Sequence, residues 1–153
     1  MNLVKVSQLY RPKISGWVAH NGLELIFDDG HRQVFHNSPV TGPTICSYEE
    51  FAENLPVTKK HDITTNLDDV MQRLSSLLRK NRKYHVIHFN CEQAVSWVLA
   101  GVQKSPQVKA CISSGVLSGV LVGLCGGNAK QVASAAVLGG STGLLYRKKQ
   151  LLR

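Results

Sequence analysis

The four cysteines, Cys46, Cys91, Cys111 and Cys125, include no CxxC pair and have no adjacent pair of histidines at zinc-finger spacing. Those absences argue against a disulfide framework and against a metal site, and they fit a reducing, intracellular compartment. No basic stretch followed by an apolar run opens the chain. Met1 to Lys13 alternates polar and apolar residues, so secretion through a cleaved signal is not expected. Acidic residues are missing from 109–153, where six basic side chains stand without a counter-charge, whereas 1–108 holds 12 basic and 10 acidic ones. The formal charge of +8 belongs mostly to the tail. There Lys109, Lys130 and Arg147-Lys148-Lys149 flank apolar runs with no interleaved aromatics, the pattern of membrane-flanking cations more than of a phosphate-tracking groove, so no nucleic-acid partner is expected. The internal cluster Arg79-Lys80-Asn81-Arg82-Lys83 reads as the solvated end of a helix.

With 153 residues the chain has room for one domain of modest core and an appendage. Leu3-Val4-Lys5-Val6 predicts a short strand, ended or turned at Arg11-Pro12. Between Trp17 and Phe27, Leu23, Leu25 and Phe27 alternate with Gly22, Glu24 and Ile26, a strand with one apolar face. Asp28-Asp29-Gly30 is a turn signal, and Arg32 to His36 completes a hairpin. Ser47-Tyr48-Glu49-Glu50 has the form of a capping box and predicts a short helix ending near Asn54-Leu55-Pro56. Residues 56–65 read as loop. Asn66 then caps a helix whose apolar stripe is Leu67, Val70, Met71, Leu74, Leu77 and Leu78. The order of elements predicts an α+β domain with an antiparallel sheet.

The stretch that carries chemistry is His88-Phe89-Asn90-Cys91-Glu92-Gln93. Lys83 to Ile87 before it is rich in β-branched and aromatic residues, and Ala94 to Ala100 after it repeats apolar residues at helical spacing up to Gly101. Cys91 is thus expected at a strand-to-helix junction, with Asn90 as N-cap. The first turn of a helix offers backbone N–H groups and a positive end, which stabilise a thiolate. The competing reading is a buried structural cysteine.

Two histidines can serve that thiol only if they share a face of the hairpin, and loop length decides this. A three-residue loop Asp28-Asp29-Gly30 pairs Gly22 with His36, which sets His20 and His36 on one face as diagonal neighbours. A two-residue loop would put them on opposite faces.

His20-Asn21-Gly22-Leu23, Asp29-Gly30, Val34-Phe35-His36-Asn37-Ser38-Pro39, Tyr84-His85-Val86-Ile87 and Asn90-Cys91-Glu92 together resemble the lecithin:retinol acyltransferase-like family, the circularly permuted relatives of NlpC-type papain-like cysteine enzymes. The likeness covers roughly residues 16–101. It implies a permuted papain-like fold in which Cys91 is the nucleophile, His20 the base and His36 the residue that orients it, with no cofactor. Two positions depart from the family pattern. Gln93 stands where members commonly carry histidine, and the usual Gly-Asp pair opening the first strand is missing, Ser15-Gly16-Trp17 standing nearest. His85 and His88 are assigned to packing or surface.

Beyond residue 104 the chain changes character, which suggests a catalytic domain over 1–104 and a Gly/Ala-rich tail over 105–153. Gly115, Gly119, Gly123 and Gly127 fall at every fourth residue of one uncharged run, and Ala135, Gly139 and Gly143 do so in a second. As helices the runs approach the thickness of a bilayer, so a membrane hairpin through 110–146 is expected, with Lys109 and the terminal basic cluster on the cytoplasmic side. A hairpin packed on the domain or on another copy of the chain is the alternative. Three functions follow from the resemblance: a membrane-associated acyltransferase or phospholipase whose acyl donor is a phospholipid or other ester; a thiol peptidase or amidase; and a non-enzymatic binder of membranes or partners, the role implied by the likeness to some picornaviral H-box/NC proteins.

Overall fold

The hairpin that carries both histidines closes through three residues. The Phe27 N–H donates to the His31 carbonyl at 3.0 Å and the Gly30 N–H to the Phe27 carbonyl at 3.0 Å. Gly30, at φ 81°, supplies the left-handed position that such a turn with a bulge requires. The register that results pairs Gly22 with His36 and Glu24 with Val34.

This computed structural model describes residues 1–13, 17–63 and 65–153, so Ser15 and Gly16 of the family's missing strand opening lie outside it. The strands are β1 (Leu3–Pro12), β2 (Ala19–Phe27), β3 (Arg32–Ser38), β4 (Gly42–Cys46) and β5 (Thr58–Asp62). They form one antiparallel sheet in the order β4-β3-β2-β1-β5. The helices are α1 (Tyr48–Ala52), α2 (Leu67–Lys80), α3 (Cys91–Ala100), α4 (Pro106–Leu124) and α5 (Ala129–Leu151). The class is α+β.

Three expectations need correction. Residues 56–65 are not all loop, because Thr58–Asp62 pairs with β1 as an edge strand. Gly42–Cys46, not foreseen, is the opposite edge. Neither has an alternating apolar face: β5 begins Thr-Lys-Lys and β4 contains Pro43, residues that suit edges because they discourage further pairing. Third, Lys83 to Ile87 is no strand. His85 and Phe89 form an isolated bridge across a tight turn, so Cys91 follows a turn and not a strand.

Each face of the sheet buries its own cluster. Leu23, Leu25, Phe27 and Phe35 meet Val70, Leu74 and Leu77 of α2 and Ala94, Val95 and Val98 of α3. On the other face Leu9 and Val34 pack against Phe51 of α1. The predicted caps are present: Ser47 and Glu50 form a capping box, Asn66 accepts from the N–H groups of Asp68 and Asp69, and Gly101 ends α3 at φ 70°.

By internal packing the chain forms two compact units, Met1–Pro12 with His20–Ser105, and Lys13–Ala19 with Pro106–Arg153. In the second, α4 and α5 lie in close contact at their small residues. A Cβ on Gly115 would stand 2.8 Å from the Ala136 carbonyl oxygen, one on Gly139 2.6 Å from that of Ser114, and one on Gly143 2.6 Å from that of Ala110. Gln107 pairs with both the N–H and the C=O of Ala19, at 2.9 and 3.1 Å. Among the described residues one helix, Pro106–Leu124, is long and apolar enough to cross a membrane.

Candidate active site

His20 and His36 meet on one face of the hairpin. His20 Nε2 lies 2.9 Å from His36 Nδ1, with the rings edge to face and their centroids 5.1 Å apart. Phe51 supports both: its ring stacks on His20 at 5.6 Å and meets His36 edge-on at 5.7 Å. Gly22 makes room for that ring, because a Cβ there would come within 2.7 Å of Phe51 Cε2. α1 exists in effect to deliver Phe51, and its capping box fixes where the helix starts.

Arg11 completes the surroundings. It is buried, pairs with Glu53, and its guanidinium stands 5.6 Å above the Phe51 ring. Burial holds the His36 pKa below its ordinary 6.5, and the Arg11 charge pushes the same way against Glu53 and Glu50. His36 is therefore neutral near neutral pH. With both rings neutral, one nitrogen of the 2.9 Å contact donates and the other accepts, and the distance fits either tautomer pair. Where His36 Nδ1 accepts, His20 carries its proton on Nε2, and its Nδ1 is the nitrogen that the His36 contact does not use; His20 is 2% exposed.

Cys91 is the first residue of α3 and is 3% exposed. Its position is built from both sides. Asn90 Oδ1 accepts the Gln93 N–H at 3.0 Å while Gln93 Oε1 accepts the Asn90 N–H at 2.9 Å, a reciprocal cap. Asn90 Nδ2 donates to the Val86 carbonyl and to Ser105 Oγ, and Ser105 donates to the buried Glu92 at 2.6 Å. From the sheet, Asn37, next to His36, donates through Nδ2 to the Phe89 carbonyl at 2.9 Å. The end of β3 is thus tied to the turn that feeds Cys91.

The structure pairs His20 with His36 and sets Cys91 at the start of a capped helix. α3 packs on the sheet face that carries Leu23 and Phe35, and the histidines point to the face that carries Phe51. His31 is exposed at the hairpin turn, and His85 stacks on His88 at 4.7 Å on the turn before Cys91. The chain matches no family model, no curated protein and no solved structure. Its chemistry rests on its own geometry.

Sequence reasoning did not single out Arg11, Phe51, Asn37 or Tyr84 as site residues. Ser-x-x-Glu before Phe51 and an Asn directly after His36 were the available signals, and neither says which face its neighbour occupies. Burial pushes the Tyr84 phenol up to about 12, and Cys91 nearby adds to this, so the phenol stays protonated beside the thiol. Among the described residues no group of three or more His, Cys, Asp or Glu could hold a metal ion.

Proposed function

We propose that the chain is a membrane-associated thiol acyltransferase or acyl hydrolase, in line with its resemblance to the lecithin:retinol acyltransferase-like family. The observation that carries the reading is the 2.9 Å contact between His20 and a neutral His36, which readies one nitrogen of His20 as a base. Acyl transfer requires the Cys91 thiol to reach His20, whose ring points to the sheet face opposite the one α3 covers; there His20 takes the Cys91 proton, and the thiolate attacks the ester carbonyl of the acyl donor. First-turn backbone N–H groups of α3 and the Tyr84 hydroxyl are the donors for the oxyanion. The His20 imidazolium, still donating to His36, gives its proton to the departing alkoxide, leaving an acyl-thioester on Cys91. An amine, hydroxyl or water, deprotonated by His20, attacks that thioester, and Cys91 leaves as thiolate and regains the proton.

The donor is a phospholipid or comparable ester, reached through α4, with α5 as the second arm of a membrane hairpin. Lys109 and the Arg147-Lys148-Lys149 cluster then hold both ends on the cytoplasmic side. The test is intact mass after incubation with phospholipid or an activated ester. An adduct on Cys91 is expected, released by hydroxylamine, absent in Cys91→Ala, and formed about 10²–10⁴-fold more slowly in His20→Ala. No adduct with any acyl donor would sink the enzyme reading and favour a binding protein built on the same residues.

A further inference from the structure

No acidic residue occurs between Asp69 and Glu92. Within that span Arg79, Lys80, Arg82 and Lys83 are all exposed, and among the described residues none of the four forms an ion pair. They lead into the turn over 85–89, whose apex is Val86, 68% exposed, and Ile87, 50% exposed. Two adjacent β-branched apolar residues at an exposed apex are unusual, and this apex is held rigid. Phe89 N–H donates to the His85 carbonyl at 2.9 Å, and His85 Nδ1 accepts the N–H groups of Ile87 and His88 at 3.2 Å each. Asn90 Nδ2 holds the Val86 carbonyl at 2.9 Å and Gln93 Nε2 the Ile87 carbonyl at 2.7 Å. Arg82 lies over the Phe89 ring at 4.4 Å, which keeps its charge along the flank of the turn.

We propose that this turn and its cations form a docking surface for anionic phospholipid bilayers, with Val86 and Ile87 entering the acyl boundary and Arg79, Lys80, Arg82 and Lys83 meeting the headgroup phosphates. Charge complementarity selects the occupant. Four cations without a compensating acid fit a surface of negative charge, and aliphatic tips between them fit hydrocarbon. RNA would satisfy the cations but has no use for exposed aliphatics, since single strands stack on aromatic faces. A turn already fixed by five hydrogen bonds loses little conformational freedom on docking. Cys91 follows the turn by two residues, so docking would bring ester groups to the thiol. In that respect the proposal rests on the acyl-transfer reading, although docking itself needs no catalysis.

The test uses the full chain carrying Cys91→Ala and Ile87→Trp with vesicles of brominated phosphatidylcholine, with or without phosphatidylserine. Bromine quenching of the added tryptophan, measured above the Cys91→Ala background of Trp17 and Trp97, reports depth at the apex. Quenching should appear with phosphatidylserine, and Arg79→Gln with Lys80→Gln, two residues outside the turn, should weaken docking about 30-fold at about 1 kcal/mol per cation. Quenching that ignores phosphatidylserine, or absent quenching while an RNA oligonucleotide binds the same cations, would overturn the proposal. The two readings separate through Val86→Ser with Ile87→Ser in the native-Cys91 chain. Adduct formation with a soluble ester should be unchanged while the extra vesicle binding that phosphatidylserine confers is lost, as the proposal requires; that extra binding undiminished would overturn docking by the apex, whereas a native chain that docks but forms no adduct would overturn only the acyl-transfer reading.

Discussion

Cys46 and Cys91 are both poorly exposed thiols, yet their settings differ. Burial pushes Cys46 up to about 11, Glu50 adds to this, and its Sγ points to the Val34 carbonyl at 3.6 Å. Cys91 opens a helix whose positive end favours a thiolate. Iodoacetamide near neutral pH should modify Cys91 well before Cys46, read by peptide mass; equal rates would remove the case for an activated thiol. His36 gives a second prediction. Its folded pKa lies below 6.5, so its contribution to stability is complete above 6.5 and is lost as pH falls through the lower folded value. Below that value a protonated Nδ1 can no longer accept from His20, and acylation should fall with it. Arg11→Gln should raise the His36 pKa, followed by imidazole NMR in the full chain, whereas Glu53→Gln should lower it. Two shifts of the same sign would mean that general disruption, and not charge, governs His36.

At the scale of elements the hairpin and α1 form one device, since Gly22 admits the ring on which both histidines lean. Phe51→Ala should cost about 3–5 kcal/mol by chemical denaturation. Gly22→Ala should separate the histidines by displacing that ring, seen as a changed coupling between their imidazole resonances; an unchanged dyad would show that Phe51 does not position it. Strands β2 and β3 and helices α1, α2 and α3 were legible because their periodicity, caps and turn residues agree. β4 and β5 were not, because an edge strand with lysines or a proline carries no alternating signal. Lys83 to Ile87 misled in the opposite direction. Its β-branched residues imitate a strand, but the His85 side chain takes the N–H groups that a ladder would use. Gln93, which departs from the pattern of the resembling family, is the reciprocal half of the Asn90 cap.

At the scale of the molecule the two compact units make different demands on sequence. In the second, backbone carbonyls of α4 stand against the glycines of α5, so Gly139→Val should open the hairpin. Faster hydrogen exchange at 110–118 and 136–143, with α2 and α3 unchanged, is the expected signature. The outer side of α4 is apolar, Leu117 being 61% and Leu121 54% exposed. The full chain should float with liposomes of phosphatidylcholine alone, and there Leu117→Lys with Leu121→Lys should abolish flotation, each lysine costing about 2.5–3.5 kcal/mol at the centre of a membrane. Undiminished flotation would move the bilayer contact to the first unit. By itself the sequence determined the cap in front of Cys91 and the small-residue spacing of the tail, and it made the parity of the histidines depend on a loop of two or three residues, which the structure closes through three. All three follow from short-range geometry, in which a turn of known length or a helical repeat fixes relative direction. Only the tertiary structure decided that Phe51 and Arg11 attend the dyad, that Asn37 ties β3 to the turn before Cys91, and which cations stand without a counter-charge. Those contacts join residues far apart in the chain, and no local repeat encodes the packing of one element on another.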